Sequence, residues 1–262
     1  MNKKIDSSTY SAFADIYDQV MRDVDYDSWA QHVISLCKRY KIRIHKILEL
    51  ACGTGSLALK LVKDGYQVVG IDLSEQMLEQ ANGKFAAEGL AISLYRGKME
   101  SFSSLRLDHD FDLITCLYDS LNYLLEEEDV KNCFVEAFTH LRPGGAFIFD
   151  VTTEYNLLHN FAGYTFAENF DNASYIWENE YQIETKICFS KVSVFLNTHS
   201  HYRKYVEVHS QRIYTNARLM EMLREAGFDL LGTFHNITEE PVMSKCERIH
   251  FVCRKPDTND DY

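Results

Sequence analysis

The stretch Glu49-Leu50-Ala51-Cys52-Gly53-Thr54-Gly55 lies between an apolar run, residues 44–48, and a helical run, residues 57–62. That order is strand, glycine loop, helix. Glycine has no Cβ, so such a loop lets the backbone approach a ligand closely. The helix that follows turns free N–H groups toward the ligand's polar atoms. One acid, Glu49, closes the strand just before the loop, and its charge bears on what the loop can hold.

Outward from this loop the chain alternates. Upstream, Phe13, Ile16, Tyr17, Val20 and Met21 recur at helical spacing over residues 11–21. Trp29, Val33, Leu36, Cys37 and Tyr40 do the same over 27–40. Downstream, strands are expected at 67–72, 91–95, 111–117 and 146–151. Helices are expected at 57–63, stopped by Gly65, and at 75–88, with Ser74 as N-cap and Gly89 as terminator. A third helix, 127–141, starts among Glu126, Glu127, Glu128 and Asp129 and closes near His140 and Arg142, which suits the helix dipole. Pro143-Gly144-Gly145 then turns the chain into the next strand. Alternating strands and helices imply an α/β fold, a parallel sheet with helices on both faces.

Beyond residue 151 the period changes to two. Tyr175, Trp177, Tyr181, Ile187, Phe189, Val192, Val194, Tyr205 and Val208 alternate with polar residues, so an antiparallel β insertion is expected, with turns near 171–173 and 197–201. A helix at 216–226, capped by Gly227, and strands at 228–234 and 248–254 complete the core. The implied organisation is a helical N-terminal lid (1–45), a cofactor-binding core (46–155), the β insertion on the substrate side (156–213), a C-terminal completion of the core (214–255) and a tail (256–262).

The 262 residues are 46% hydrophobic and 25% charged, an ordinary globular balance. The net charge of −12 repels phosphate backbones, so nucleic acid is not an expected partner. Seven cysteines with no Cys-x-x-Cys pair argue against a disulfide framework or zinc cage, and buried free thiols in a reducing compartment are the simpler account. No run approaches the roughly 20 apolar residues of a spanning helix. A cytoplasmic protein without membrane contact is expected.

Gly53-Thr54-Gly55-Ser56-Leu57-Ala58 also fits the dinucleotide pattern G-x-G-x-x-A, with Asp72 ending the next strand. An NAD(P)-dependent oxidoreductase is therefore one reading. Glu49 is awkward beside a pyrophosphate and suits a cationic ligand, and only one nucleotide-binding half is visible.

Four motifs carry a more specific resemblance. Glu49 to Gly55 resembles the first motif of the Rossmann-like, class I S-adenosylmethionine-dependent methyltransferases, and Val69-Gly70-Ile71-Asp72-Leu73-Ser74-Glu75-Gln76-Met77-Leu78 resembles the second. Phe111-Asp112-Leu113-Ile114-Thr115-Cys116-Leu117 resembles the fourth-strand motif. Leu141-Arg142-Pro143-Gly144-Gly145-Ala146-Phe147-Ile148-Phe149-Asp150 resembles the turn into the fifth strand. The resemblance implies a seven-stranded, mostly parallel sheet and S-adenosylmethionine as cofactor. It implies that Ala51, Gly53 and Gly55 offer backbone to the methionine moiety, that Glu49 orients its ammonium, that Asp72 accepts both ribose hydroxyls, and that Leu73 and Met77 pack on adenine. Where the family often has Gly-Asp-Met, this chain has Gly97-Lys98-Met99. Lysine is donor-only and cannot accept from the adenine amino group. Backbone at Lys98 and Met99, or another acid such as Glu100, must serve.

Leu117-Tyr118-Asp119-Ser120-Leu121-Asn122-Tyr123-Leu124 resembles the branch that methylates small molecules such as amino sugars and glycine-like amines, which places Leu117 and Asn122 at the cofactor. The segment from Tyr10 to Asp18 resembles the same branch, where such a helix closes over the cofactor and tyrosines reach its carboxylate; Tyr10 and Tyr17 are the candidates. Trp177, Tyr181, Tyr202 and Tyr205 are candidates for the opposite wall or for sheet packing. His199, His201 and His209 have metal-like spacing but no completing acid, and no metal is expected. Glu178 and Glu180 share a strand face that is exposed by default. The expected reaction is in-line displacement that moves a methyl group to an N or O atom of a small molecule, with Tyr17, Asp119 and nearby histidines as open choices for a base. A non-catalytic S-adenosylmethionine-binding module is the remaining alternative, and a homodimer is a candidate assembly.

Overall fold

The computed structural model describes residues 10–107, 109–198 and 200–257. A 3-10 turn, Phe13–Asp15, leads to a single helical turn, α1 (Tyr17–Val20), and then to α2 (Tyr26–Arg39). The helix expected over 11–21 is thus two short pieces. Phe13 and Ile16 are both drawn into the cluster under the β insertion, and Ile16 takes φ −116°, ψ −1°, which breaks the helical run. Asp25 caps α2, accepting from the Ser28 N–H at 3.0 Å.

The core then alternates as expected: β1 (Lys46–Leu50), α3 (Ser56–Lys63), β2 (Gln67–Asp72), α4 (Glu75–Ala87), β3 (Ser93–Arg96), β4 (Phe111–Cys116), α5 (Glu127–His140) and β5 (Leu141–Thr152). Pro143-Gly144-Gly145 lies inside β5 rather than before it. The register against β4 jumps from Phe111↔Leu141 to Leu113↔Ala146, so the three residues are absorbed as a bulge. A short helix, α6 (Glu154–Asn156), and a wider turn, Leu157–Phe161, follow. Next come β6 (Thr165–Asn169), β7 (Ala173–Gln182), β8 (Ile187–Asn197), β9 (Tyr202–Arg212), α7 (Asn216–Glu225), β10 (Asp229–His235) and β11 (Arg248–Arg254).

Seven strands form the main sheet in the order β10-β11-β5-β4-β1-β2-β3. β1 pairs in parallel with both β2 and β4, and β11 runs antiparallel between β5 and β10. The strand order therefore reverses at β1, and the carboxyl ends of β1 and β4 open onto a crevice. Alternation along β5 sends Phe147 and Phe149 to one face, with Phe134, Phe228 and Leu219, and Ile148 to the other, with Leu36, Leu61 and Val252. Each such aromatic contributes about 2–3 kcal/mol by burial. Helices thus cover both faces, as expected.

The insertion is a separate antiparallel sheet, β6-β7-β8-β9. It has a third turn at 183–186 that alternation alone conceals, because Ile183 continues the apolar rhythm yet is exposed. All seven cysteines are free and buried. Among the described residues no helix is long and apolar enough to cross a membrane.

Candidate active site

The glycine loop is built on left-handed backbone: φ is +53° at Ala51, +55° at Gly53 and +70° at Gly55. The two glycines do different work. A Cβ on Gly53 would meet no protein atom within 4 Å and would project into open space, whereas one on Gly55 would meet Ala81 and Phe85 at 3.2 Å. Gly53 borders open space, and Gly55 lets α3 start against α4. The Gly53 N–H donates to Asp72 Oδ2 at 2.8 Å, and the Ser74 N–H donates to Asp72 Oδ1 at 2.8 Å. This fixes the carboxylate at the end of β2.

Glu49 sits in β1 opposite Gly70 and Thr115, and is 5% exposed. Its Oε2 has no hydrogen-bond partner. Burial, reinforced by Asp72, pushes its pKa up to about 8. A buried carboxylate with an unanswered oxygen is poised to receive a cation, which would lower that pKa again.

A cavity of about 830 Å³ opens over this loop. Its lining includes Glu49, Ala51, Gly53 and Asp72, then Leu73, Met77, Lys98 and Met99, and also Tyr10, Tyr17 and Leu117. Gly55 and Asn122, also expected at the cofactor, do not line it. Asn122 is a buried strut: its Oδ1 accepts from the Thr152 N–H at 3.0 Å and its Nδ2 donates to the Arg212 carbonyl at 2.8 Å. Lys98 points outward and pairs with Glu100 Oε1 at 3.2 Å, while Glu100, largely buried, brings a carboxylate to the cavity wall.

Past β4 the chain makes an elbow that sequence alone does not reveal. Tyr118 (φ +63°) and Asp119 (φ +53°) are consecutive left-handed residues, an arrangement that needs support. Asp150, fully buried, accepts from the Tyr118 N–H at 2.6 Å and the Asp119 N–H at 2.9 Å. Arg248 hydrogen-bonds Asp150 and, at 2.5 Å, Asp119 Oδ1, and Gln211 Nε2 reaches Asp119 Oδ2 at 2.5 Å. Burial alone would lower the Arg248 pKa, but Asp150 and Asp119 outweigh it and the net shift is upward. The one sequence signal for this clamp was a charged residue, Asp150, closing the apolar run of β5.

The N-terminal segment is tied down by one carboxylate. Glu207, buried on β9, accepts from the N–H groups of Tyr10 (2.7 Å), Ser11 (3.1 Å) and Phe13 (3.1 Å) and from the Ser11 hydroxyl (3.0 Å). Burial raises its pKa, but His209 and these donors more than reverse that, and the net shift is downward. Tyr10 Oη meets Tyr123 Oη at 2.6 Å over the cavity. Burial raises the pKa of both Tyr10 and Tyr17 well above the usual phenol range.

Of the four insertion aromatics expected as candidates, Trp177 lines the cavity, and Phe166 and Tyr175 join it there. Tyr181 instead donates to Glu154 at 2.7 Å, Tyr205 packs toward Phe13, and Tyr202 is exposed. Glu178 pairs outside with Lys191 at 2.8 Å, and Glu180 is exposed. His209 meets the Tyr10 ring edge to face and lies 3.4 Å from Glu207, His201 is exposed, and His199 lies outside the described residues. Among the described residues no three of His, Cys, Asp or Glu are grouped to hold a metal ion.

A methyltransferase-domain profile matches residues 47–145, which hold the glycine loop, Asp72 and the elbow. A protein of Geobacillus sp. (strain WCH70) named as a methyltransferase is 35% identical over 256 residues, covering 94% of this chain and all of its own. A dTDP-3-amino-3,4,6-trideoxy-alpha-D-glucopyranose N,N-dimethyltransferase of Streptomyces venezuelae is 28% identical over 137 residues, 52% of this chain and 55% of its own. The crystal structure of an S-adenosylmethionine-dependent methyltransferase from Clostridium acetobutylicum ATCC 824 superposes with a TM-score of 0.82 at 31% identity, covering 94% of this chain and 99% of the other. The dinucleotide reading of the glycine loop is set aside by these matches. With near-complete coverage at over 30% identity, the chain belongs to the class I S-adenosylmethionine-dependent methyltransferases.

Proposed function

We propose that this enzyme methylates an N or O atom of a small molecule held inside the cavity. The single observation that carries this reading is the extent of the cavity. Besides the residues expected at the cofactor, its lining includes Tyr26, Trp29, Tyr118 and Trp177, and takes in both the N-terminal segment and the insertion. A concave site lined by so many aromatic side chains suits a small acceptor better than a polymer strand.

The residues fit the cofactor. Glu49 answers its ammonium, the open side of Gly53 admits its methionine backbone, and Asp72 accepts from its ribose hydroxyls. Leu73, exposed though apolar, and Met77 cover the adenine, with Glu100 supplying the acceptor that Lys98 cannot. Tyr10 and Tyr17 stand on the lid side. When bound, S-adenosylmethionine supplies a methyl group on a sulfonium, a strong electrophile that asks the protein for alignment and exclusion of water rather than for a metal. The lid, held by Glu207, and the elbow at Tyr118–Asp119 provide both. The amino-sugar specificity of the Streptomyces relative supports a small-molecule acceptor.

Incubation with S-adenosylmethionine labelled in the methyl group and a cell extract tests the reading. The label is expected in the dialysable fraction, and the Asp72→Ala variant should lose it. Label confined to RNA or protein would overturn the proposal.

A further inference from the structure

The structure assigns a charge filter to the acceptor end of the cavity: Arg248, Asp119 and Asp150 admit a phosphate-free, cationic amine and turn away nucleoside diphosphates and carboxylates. The inference rests on the small-molecule reading above and narrows it.

Six acids line the cavity: Glu49, Asp72 and Glu100, assigned above to the cofactor, and Asp119, Glu126 and Asp129, which are not. Among the described residues only two cations do, Lys98 and Arg248, and no histidine. Both cations are already engaged. Lys98 pairs with Glu100, and Arg248 bridges Asp119 and Asp150. One guanidinium between two carboxylates leaves a net negative charge. Asp150 is fully buried and does not reach the cavity, so the balance falls on Asp119 at the wall. Both Asp119 oxygens accept, one from Arg248 and the other from Gln211; burial raises the Asp119 pKa, and these two donors act against that shift. An anion seeking Arg248 must first displace Asp119, and this would strand a buried carboxylate without its counter-charge.

The surrounding rings favour the opposite sign. Trp29 and Tyr118 already attract the Arg248 guanidinium, with centroids at 5.4 and 5.0 Å, and Tyr17 and Tyr26 present further rings to the same cavity. Such π faces attract a cation and repel an anion. The reaction has the same preference. The ammonium gives its proton to water at the open mouth of the cavity, and the freed nitrogen lone pair forms the N–C bond. The S–C bond breaks with its pair returning to sulfur, and the product leaves as the methylated ammonium. Positive charge thus arrives on nitrogen beside Asp119, where a negative wall stabilises it. A phenolate or carboxylate oxygen would bring negative charge to the same place. The filter therefore separates this chain from the nucleotide-sugar chemistry of its Streptomyces relative.

Calorimetry tests it in three steps. S-adenosylhomocysteine is titrated first; failure to bind would remove the small-molecule reading and the filter with it. The saturated protein is then titrated with 2-phenylethylamine, with the similarly shaped carboxylate 3-phenylpropionate, and with thymidine diphosphate. The amine is expected to bind about ten-fold or more tightly than either anion. If either anion binds as well as the amine, or the amine does not bind, the filter is wrong while methyl transfer stands. In Asp119→Asn the amine should weaken about five-fold and the carboxylate should tighten. Unchanged affinity for S-adenosylhomocysteine reports that the variant is folded, and an unchanged amine-to-anion ratio in that variant contradicts the role of Asp119. If the variant does not fold, the wild-type ratio alone decides.

Discussion

Glu49 and Gly53 show how much chemistry one residue can hold in this fold. Folded Glu49 has its pKa raised from 4.5 to about 8, so the unfolded chain ionises first as pH rises. Between those values the folded state binds more protons, and stability falls with increasing pH by up to about 5 kcal/mol at the alkaline end. Thermal melts of ligand-free Glu49→Gln should lack this component and lie above the wild type near pH 8. A parallel pH dependence in both proteins would refute the assignment. S-adenosylhomocysteine should bind the wild type more tightly as pH rises through the same window, and the variant should show no such gain. The two glycines separate binding from stability. Gly53→Ala costs only the strain of left-handed alanine, about 1–2 kcal/mol, but fills the open space beside it and should weaken cofactor binding severely. Gly55→Ala adds a collision with Ala81 and Phe85, so its loss should appear in Tm more than in affinity. Glu49, Gly53 and Asp72 are legible in the sequence because they sit where strands end, a place fixed by local pattern. Gly55 is legible as a glycine but not in its partner, since α4 reaches it only through tertiary packing. The Asp150–Arg248 pair spans 98 residues and exists only because β11 lies antiparallel against β5.

At the scale of elements, the lid depends on one strand of the insertion. Glu207 of β9 gathers three backbone N–H groups and a hydroxyl from the segment at Tyr10 to Phe13. Its pKa is lowered, so the stability it contributes is present above the ordinary carboxyl range and is lost as pH falls through it. Glu207→Ala leaves those donors unanswered, at about 1–3 kcal/mol for a buried group. Faster hydrogen exchange over residues 10–20 and weaker binding of S-adenosylhomocysteine are expected. Unchanged exchange there would show that the segment is held by its other contacts, among them Ser74 to the Tyr10 carbonyl and Lys84 to Asp18. The elements were mostly legible, because helix and strand periods differ and caps such as Asp25 and Ser74 are local. Failures occurred where tertiary contact overrides pattern: Ile16 interrupts the first helix by turning into the insertion core, Ile183 hides a turn, and Pro143-Gly144-Gly145 bulges within β5.

At the scale of the whole molecule, function follows from where the strand order reverses. β1 and β4 are neighbours in the sheet although β2 and β3 separate them in sequence, so the glycine loop and the elbow meet at one crevice. Alternation in the sequence implies the parallel sheet, but the meeting of Glu49, Asp119, Arg248 and the lid over one cavity requires strand order, which local periodicity does not encode. The central claim is that this cavity has two compartments, one for the cofactor and one for the acceptor. A crystal structure with S-adenosylhomocysteine bound tests it directly. The ammonium is expected on Glu49, directly or through one water, the ribose hydroxyls on Asp72, and open space is expected between Tyr17, Tyr118 and Trp177. A nucleoside lodged beneath the insertion sheet, with Glu49 still unpartnered, would contradict it.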